Sequence, residues 1–448
     1  MTFSALLGHA RPPSRLAGRL SLQSLLFALG DGAFMTGSAV FFTKIVGLSP
    51  AQVGIGLTIA GVAAFLAAVP MGKLVDRFGP KRMWAVSAAA LACVFAVWPF
   101  VTDFTGFVVL AVCIEVIGAL GFSAQGAYTL DVLPPDERVR SRAYMYSALN
   151  LGFTLGAAIG GVALAFRSTD VLHALPWFTA AVSLVNAVAV TRLPRAPHDL
   201  RTPTERKTRI PGPGPLRNPG WLFTGFLTGV FWTNQAVLNV VIPLWLVQQT
   251  DAPPVLLAFL FGTNTVMCIV LPMAAARGVK NIPTALKAIR LSSTLFVVSC
   301  LITLATHETI GWATIALVWL GHIALTGAEL YMSAATWTFE AELMDPRRRG
   351  AYQGAAELTI TLGKVGAPAA YTFLALSWGA AGWLVIAGVI VVATVFIHPA
   401  TRMARRFLER HVPADVLAAA SASGGDDGEP AATPSPKGDV VVAAGDGR

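Results

Sequence analysis

The segment from Gly72 to Arg82 reads GKLVDRFGPKR and separates two long apolar stretches. Four basic residues surround a single acid, Asp76, in this segment. Further basic clusters occur at 11–19, 138–142, 192–217, 277–290, 347–349 and 402–448, and with this one they hold 30 of the 33 Lys and Arg residues. Apolar hairpins separate the clusters, and positively charged loops stay on the cytoplasmic side of membranes. The pattern predicts six membrane hairpins with both termini in the cytoplasm.

The composition indicates an integral membrane protein in a lipid bilayer. Hydrophobic residues make up 55% and charged residues 13% of the chain, and the mean hydropathy is +0.64. In soluble domains about a quarter of the residues are charged. The net charge of +9 lies in loops that face anionic headgroups, so it does not indicate a nucleic-acid partner. The four cysteines lie in apolar stretches without metal-ligand spacing, so we expect no disulfide, metal site or cofactor.

Twelve apolar stretches are each long enough for a spanning helix, which needs about 20 residues. The Pro- and Arg-rich stretch in the middle of the chain predicts a linker, and the polar C-terminal sequence predicts disorder. The expected division is a cytoplasmic N-terminus at 1–19, a six-helix bundle at 20–191, a cytoplasmic linker at 192–219, a second six-helix bundle at 220–398 and a mostly disordered cytoplasmic tail at 399–448.

The two halves repeat each other in sequence. VPM at 69–71 recurs as LPM at 271–273, and RAY at 142–144 is echoed by GAY at 350–352. Because both halves begin inside and have six spans, the repeat is parallel, which is typical of one large class of transporters. The predicted fold is therefore an all-α integral membrane protein with twelve transmembrane helices in two six-helix pseudo-repeats.

The segment from Gly72 to Arg82 also resembles the signature loop of the major facilitator superfamily. The resemblance implies that Asp76 reaches the positive N-terminus of span eleven, near Arg349 and Gly350, and latches the cytoplasmic side shut. The family usually has Arg where this chain has Pro80, so Lys81 or Arg82 would have to replace that arginine as the partner of Asp131, the acid that closes span four. The gate residues implied are Gly72, Asp76, Arg77, Gly79, Lys81, Arg82 and Asp131.

Span five carries Gly152, Gly156, Gly160 and Gly161, a small-residue face that lets two helices approach closely. It is similar to a motif of the superfamily's proton-exchanging exporters, although Ala157 stands in place of a proline. Those exporters commonly have an arginine in span four where this chain has Glu115. Helix packing alone also explains the glycines, so export is favoured by this pattern and not established by it.

Ionisable residues at membrane depth are costly unless they serve a function or find a partner. Asp31, Glu115, His322 and Lys364 are predicted near the midplane, with Glu329 and Glu357 closer to the cytoplasm. We expect Asp31 and Glu115 to couple transport to protons. The alternatives are a structural salt bridge between Lys364 and an acid such as Glu357, and a hydrogen-bonded core role for His322.

Span seven contains amides and aromatic residues suited to an amphipathic organic cargo, namely Trp232, Asn234, Gln235 and Asn239. Polar residues also hold helices together, so this assignment stays open. No phosphate-binding loop, nucleophile elbow or metal cluster appears in the sequence, so we predict that the protein is not an enzyme.

The resemblance implies a secondary transporter, and we predict a monomer that exports small organic molecules such as drugs by alternating access, with protons as coupling ion. Its location is predicted to be the plasma membrane, in particular a bacterial inner membrane. Two alternatives remain open. One is a proton-coupled importer of an anionic solute, with Lys364 as counter-charge, and the other is a receptor or scaffold that does not transport.

Overall fold

A computed structural model describes residues 12–166, 168–200 and 210–422. These residues form helices and no strand. Twelve spans follow one another: α1 Arg15–Ile45, α2 Pro50–Phe78, α3 Pro80–Phe100, α4 Phe104–Val132, α5 Arg138–Ala165, α6 Thr169–Thr191, α7 Pro219–Gln249, α8 Leu256–Val270 with Pro272–Ala275, α9 Ile282–Glu308, α10 Trp312–Glu342, α11 Arg349–Lys364 with Ala367–Trp378, and α12 Ala380–His411. Ten of these helices are long and apolar enough to cross a membrane, and α8 and α11 are each interrupted once.

Local sequence explains where several spans begin. The Ser49 hydroxyl accepts the amide of Gln52, whose side chain accepts the Ser49 amide in return. This capping box satisfies two donors that the first turn of α2 leaves open. Asn218 caps α7 by accepting the Trp221 amide at 3.0 Å. The spans α2, α3, α7 and α9 also place a proline in their first turn, where its missing N–H costs nothing.

The tail at 399–448 was predicted to be mostly disordered, but the structure extends helix into it. The span α12 continues past residue 398 to His411 because Ala400, Ala404 and Leu408 form a buried stripe at helical spacing. A further helix, α13, follows at Ala414–Ala422, and the Ala420 carbonyl accepts a hydrogen bond from Arg138 at 3.4 Å. The remainder of the predicted disordered tail lies outside the described residues.

The helix pairings repeat in the two halves, as the parallel repeat requires. In the first half α1 packs on α5, α2 on α4, and α3 on both α4 and α6. In the second half α7 packs on α11, α8 on α10, and α9 on both α10 and α12. Each pair in the second half is the first-half pair displaced by six spans. The predicted fold of two six-helix pseudo-repeats is therefore confirmed.

The closest crossing within the first half lies between α1 and α5. A Cβ added to Gly156 would lie 2.2 Å from the Leu29 carbonyl oxygen, and one added to Gly152 would lie 2.3 Å from that of Leu25. Gly160 meets Ala33 in the same way at 2.6 Å. The matching crossing between α7 and α11 brings together the backbones of Gly229 and Gly363. Small residues thus allow backbone contact at equivalent places in both halves.

The two halves meet where the short loops carry the basic clusters. We call this the basic end, defined by the loops between α2 and α3, α4 and α5, α8 and α9, and α10 and α11. Here α2 and α4 pack against α11, while α5 packs against α8 and α10. The structure is thus sealed between its halves at the basic end.

We predict that Gly156→Leu destabilises the protein by about 1–3 kcal/mol, because its side chain must force α1 and α5 apart. Gly161 is a matched control on the same helix, since a Cβ there meets nothing within 4 Å. Thermal unfolding of both variants in detergent measures the effect: Gly156→Leu should melt below wild type and Gly161→Leu close to it. Equal melting temperatures for Gly156→Leu and wild type would show that this crossing tolerates a side chain.

Candidate functional site

At the basic end, Asp76 contacts the first turn of α11. Its Oδ1 accepts the amide of Gly350 at 2.7 Å, and its Oδ2 accepts that of Ala351 at 2.9 Å. Free amides at a helix N-terminus and the helix dipole both favour an anion. The approach depends on Gly72, where a Cβ would lie 2.2 Å from the Gly350 carbonyl oxygen. This contact joins the two halves through a carboxylate and two backbone groups.

The other residues of the implied gate motif shape the turn and the linker contacts. Gly79 has a φ of 97°, which favours glycine, and links α2 directly to α3. The Arg77 guanidinium lies over the Phe78 ring, 5.3 Å from its centroid. Lys81 donates to the Leu193 carbonyl, so it holds the start of the linker, and Arg82 is exposed.

The acid that closes α4 has a partner that the sequence did not reveal. Asp131 forms an ion pair with Arg349 of α11, and both side chains are largely buried. The sequence suggested Lys81 or Arg82 for this role, from the same half. The structure instead supplies the cation from the opposite half, next to the residues that bind Asp76. Asp76 and Asp131 therefore converge on one turn of α11.

A second polar layer lies deeper between the halves. Arg142 of α5 pairs with Glu340 of α10 at 2.5 Å, and Gln353 of α11 donates to the same carboxylate at 3.3 Å. Sequence reasoning missed this layer, because Arg142 reads as a loop cation and Glu340 lies 198 residues away. The only available signal was that an acid close to the end of a spanning helix needs a partner.

Glu329 of α10 forms a third layer and is nearly fully buried, at 3% exposure. Its Oε1 accepts the hydroxyl of Tyr146 from α5 at 2.5 Å, and its Oε2 accepts the Asn264 amide of α8 at 3.4 Å. The Cys268 thiol lies 3.8 Å from Oε1. The side chain of Gln235 in α7 also lies near Glu329. Groups from three spans and from both halves thus converge on this acid.

Two cavities beyond the seal hold the other predicted acids. One, of about 190 Å³, is lined by Asp31 of α1 and Glu115 of α4 with Phe27, Leu91 and Phe95. The second, of about 400 Å³, lies between the halves and is lined by Glu115 and Glu357 with Phe65, Phe122 and Leu358. Glu115 belongs to both cavities. The structure therefore brings Asp31, Glu115 and Glu357 into one acid-lined, partly aromatic region.

His322 and Lys364 take no part in this region. His322 is buried at 1% exposure and lines neither cavity. Lys364 ends the first segment of α11 and is exposed. Within the described residues it forms no ion pair, so the suggested salt bridge to Glu357 is absent.

The amides of α7 are spread over different surroundings. Gln235 accepts a hydrogen bond from Asn239 at 3.2 Å, and Asn239 is exposed. Asn234 is buried at 1% exposure, and its amide has no hydrogen-bond partner among the described residues. Trp232 packs against the core of the second half. A π-helical turn at Val237–Val241 interrupts α7 beside these residues, and such turns are frequent at functional sites.

Comparison with known proteins gives a family and several distant relatives. Residues 20–368 match the family described as the Major Facilitator Superfamily. An uncharacterized MFS-type transporter of Mycobacterium tuberculosis is 29% identical over 213 residues, which are 46% of this chain and 49% of the relative. The chain thus spans about half the length of that relative. A Na(+), Li(+), K(+)/H(+) antiporter of Planococcus maritimus is 23% identical over 396 residues, covering 80% of this chain and 89% of the antiporter.

Two more comparisons concern a resistance protein and a solved fold. Multidrug resistance protein 2 of Bacillus subtilis is 26% identical over 148 residues, which cover 33% of this chain and 36% of that protein. A crystal structure of a bacterial homologue of the iron transporter ferroportin, in an outward-facing state, matches 87% of this chain and all of that chain with a TM-score of 0.68. At 13% identity this likeness shows the fold alone.

The two six-helix halves, sealed at one end and with acid-lined cavities beyond the seal, have the architecture of a membrane transporter. The chain belongs to the major facilitator superfamily.

We predict that Asp76→Asn reduces transport about tenfold, because a neutral amide cannot replace a carboxylate that accepts two backbone amides. Asp136→Asn is the control, since Asp136 is exposed at the same end of the bundle. Both variants should insert and purify like wild type. Initial rates of ethidium transport in vesicles, normalised to protein amount, provide the measurement. A wild-type rate for Asp76→Asn would rule out a gating role for this contact.

Proposed function

We propose that the protein is a proton-driven exporter of small organic molecules that works by alternating access. In this proposal the basic end faces the cytoplasm, in accord with the positive-inside rule, and the membrane is a bacterial inner membrane. The structure then corresponds to a state closed to the cytoplasm. Asp76, Asp131 and Glu340, with their partners on the opposite half, would stabilise that state.

The position of Glu115 is the observation that supports the proposal most. It lines the small cavity with Asp31 and the larger cavity with Glu357. A carboxyl group shared by two adjoining cavities can exchange a proton with one side chain and contact cargo in the other. Since protonation neutralises the carboxylate, proton and cationic cargo would compete for it, which is what exchange requires.

The lining of the cavities favours organic molecules with a positive charge. Carboxylates supply the charge, and Phe27, Phe65 and Phe122 supply flat apolar faces that also attract cations. An anionic solute would face three acids there, and Lys364 lines neither cavity. The importer of an anionic solute is therefore less well supported. The name of the Bacillus subtilis relative, a multidrug resistance protein, agrees with organic cargo.

A second candidate is exchange of small inorganic cations for protons. It is supported by the antiporter of Planococcus maritimus, which aligns with 80% of this chain. The acids Asp31 and Glu115 suit the exchange of inorganic cations for protons as well as they suit the exchange of organic cations. The described residues contain no group of three or more His, Cys, Asp or Glu side chains that could hold a metal ion. The aromatic lining therefore favours the organic cargo.

We predict that Asp31→Asn and Glu115→Gln each lose transport driven by a pH gradient, while cargo still binds or equilibrates down its own gradient. A coupling acid is needed only for the uphill step, so the two activities should separate. Asp170→Asn is the control, because this exposed acid lies in the first turn of α6. Uptake into inverted vesicles with an imposed pH gradient measures the uphill step, and cargo-induced proton release in detergent measures the exchange.

The choice of cargo decides between the candidates in the same vesicles. Ethidium and tetraphenylphosphonium represent organic cations, and fluorescein represents organic anions. Sodium, lithium and potassium represent inorganic cations. Transport of the organic cations supports the proposal, and transport of the inorganic cations alone supports the second candidate. Gradient-driven transport at the wild-type rate in both single variants and the double variant would contradict coupling through these acids.

A further inference from the structure

Glu329 is a buried acid without a cation. Among residues 12–166, 168–200 and 210–422, every ion pair that the structure contains involves other acids. The neighbouring acid at the same interface, Glu340, shows the contrast, because it pairs with Arg142 at 2.5 Å. Both acids lie on α10 and both face α5. Glu340 is neutralised by Arg142, whereas Glu329 contacts only a hydroxyl, amides and a thiol.

The titratable groups that face Glu329 do not supply a positive charge. They are Tyr146 from α5 and Cys268 from α8, and both are neutral or anionic groups. On α10 itself, His322 lies seven residues away and forms none of the contacts of Glu329. An ionised carboxylate enclosed in this way without a cation is costly. The neutral acid avoids that cost.

The surrounding amides accommodate a protonated Glu329. Tyr146 can donate to the carbonyl oxygen of the neutral acid just as it donates to a carboxylate. Asn264 and Gln235 each carry both a donor and an acceptor, so a half-turn of either amide presents an oxygen to the acidic proton. The half-turn gives up one other hydrogen bond of that amide, which joins Asn264 to Thr326 or Asn239 to Gln235, while the enclosed charge is removed.

Enclosure of Glu329 depends on the closed basic end. The Tyr146 hydroxyl comes from the opposite half, and Tyr146 lies one turn beyond Arg142 along α5. If α5 separates from α10, both contacts are lost together and Glu329 is exposed to water from the basic end. A carboxyl group that gains water in this way ionises more readily, and its proton leaves to that side.

We infer that Glu329 and Tyr146 form a proton-binding site that is occupied when the basic end closes and emptied when it opens. The proton enters and leaves on the same side of the membrane, so the site moves no net charge across it. Its effect is to make closure depend on the pH at the basic end. Because the closed state binds one more proton, acidification favours closure, by up to about tenfold in the closed-to-open ratio per pH unit.

This inference does not rest on proton-driven export. Asp31 and Glu115 line open cavities, whereas Glu329 is enclosed by the seal and lines neither cavity. The protonation of the two sets of acids therefore depends on different events. The cavity acids respond to cargo, and Glu329 responds to the distance between α5 and α10.

The test measures the opening of the basic end as a function of pH, without cargo and without a gradient. Arg140 and Lys280 are exposed and face one crevice between the halves, so spin labels on Arg140→Cys and Lys280→Cys report their separation. Cys93 and Cys113 are replaced by Ser in the background, because they are not buried. Double electron–electron resonance in nanodiscs gives the closed fraction between pH 5 and pH 8, a range of about three units that brackets neutrality.

The wild-type closed fraction should rise as the pH falls. Glu329→Gln, which imitates the neutral acid, should stay closed and lose most of the pH dependence. Glu340→Gln is the matched control on the same helices: it should lower the closed fraction at every pH and keep the pH dependence. A pH dependence in Glu329→Gln equal to that of wild type would overturn the inference. A closed fraction of the wild-type protein that does not change with pH would overturn it too.

Infrared spectroscopy provides a second readout if Glu329→Gln does not fold. A neutral buried carboxylic acid has a C=O stretch separate from that of carboxylates, and wild type should show it in the closed state. Tyr146→Phe removes one hydroxyl and should shift that band, because the C=O accepts that hydrogen bond. A band at the wild-type frequency in Tyr146→Phe would overturn the inference. Failure of pH-driven export in vesicles, with this response intact, would instead count against the proposed function alone.

Discussion

The contact between the backbones of α2 and α11 is the constraint on which the closed structure depends. Gly72 and Gly350 have no side chains to separate the helices, and each would place a Cβ within 2.4 Å of the other's carbonyl oxygen. Only this approach brings the Asp76 carboxylate within reach of the amides that begin α11. The ion pair of Arg349 with Asp131 and the deeper contacts of α10 with α5 follow once the two halves have met there.

Much of this arrangement could be predicted from the sequence, and the limits have a physical cause. Charge alternation and span length are local properties of the sequence, so the spans and the two halves could be predicted from them. The loop around Asp76 could be interpreted because its spacing resembles a known pattern. Arg349, Arg142 and Tyr146 could not be assigned as partners of Asp131, Glu340 and Glu329, since each lies in the other half and its position depends on how two bundles dock. Sequence also placed Lys364 beside acids, yet the break in α11 leaves it exposed.

The three polar layers between the halves, those of Asp76, Glu340 and Glu329, differ in the partner that each acid has. Asp76 binds a helix N-terminus, Glu340 pairs with an arginine, and Glu329 contacts only neutral groups. The partners of the first two acids, two backbone amides and an arginine, offset part of the loss of water. Glu329 has no cation or helix N-terminus as partner, which connects closure to proton binding. One interface thereby combines contacts made by charged groups with a site whose occupancy depends on pH.

The helices that form the seal also differ in continuity between the halves. On one side α2 and α5 run without a break, and α2 even retains Pro70 within its helix. On the other side α8 is broken before Pro272, and α11 is broken between Lys364 and Ala367. A helix bends at least cost where its hydrogen-bond ladder is already interrupted. Such interruptions lie in α8 and α11, so the second half bends more easily at the seal than the first, although it repeats the same fold.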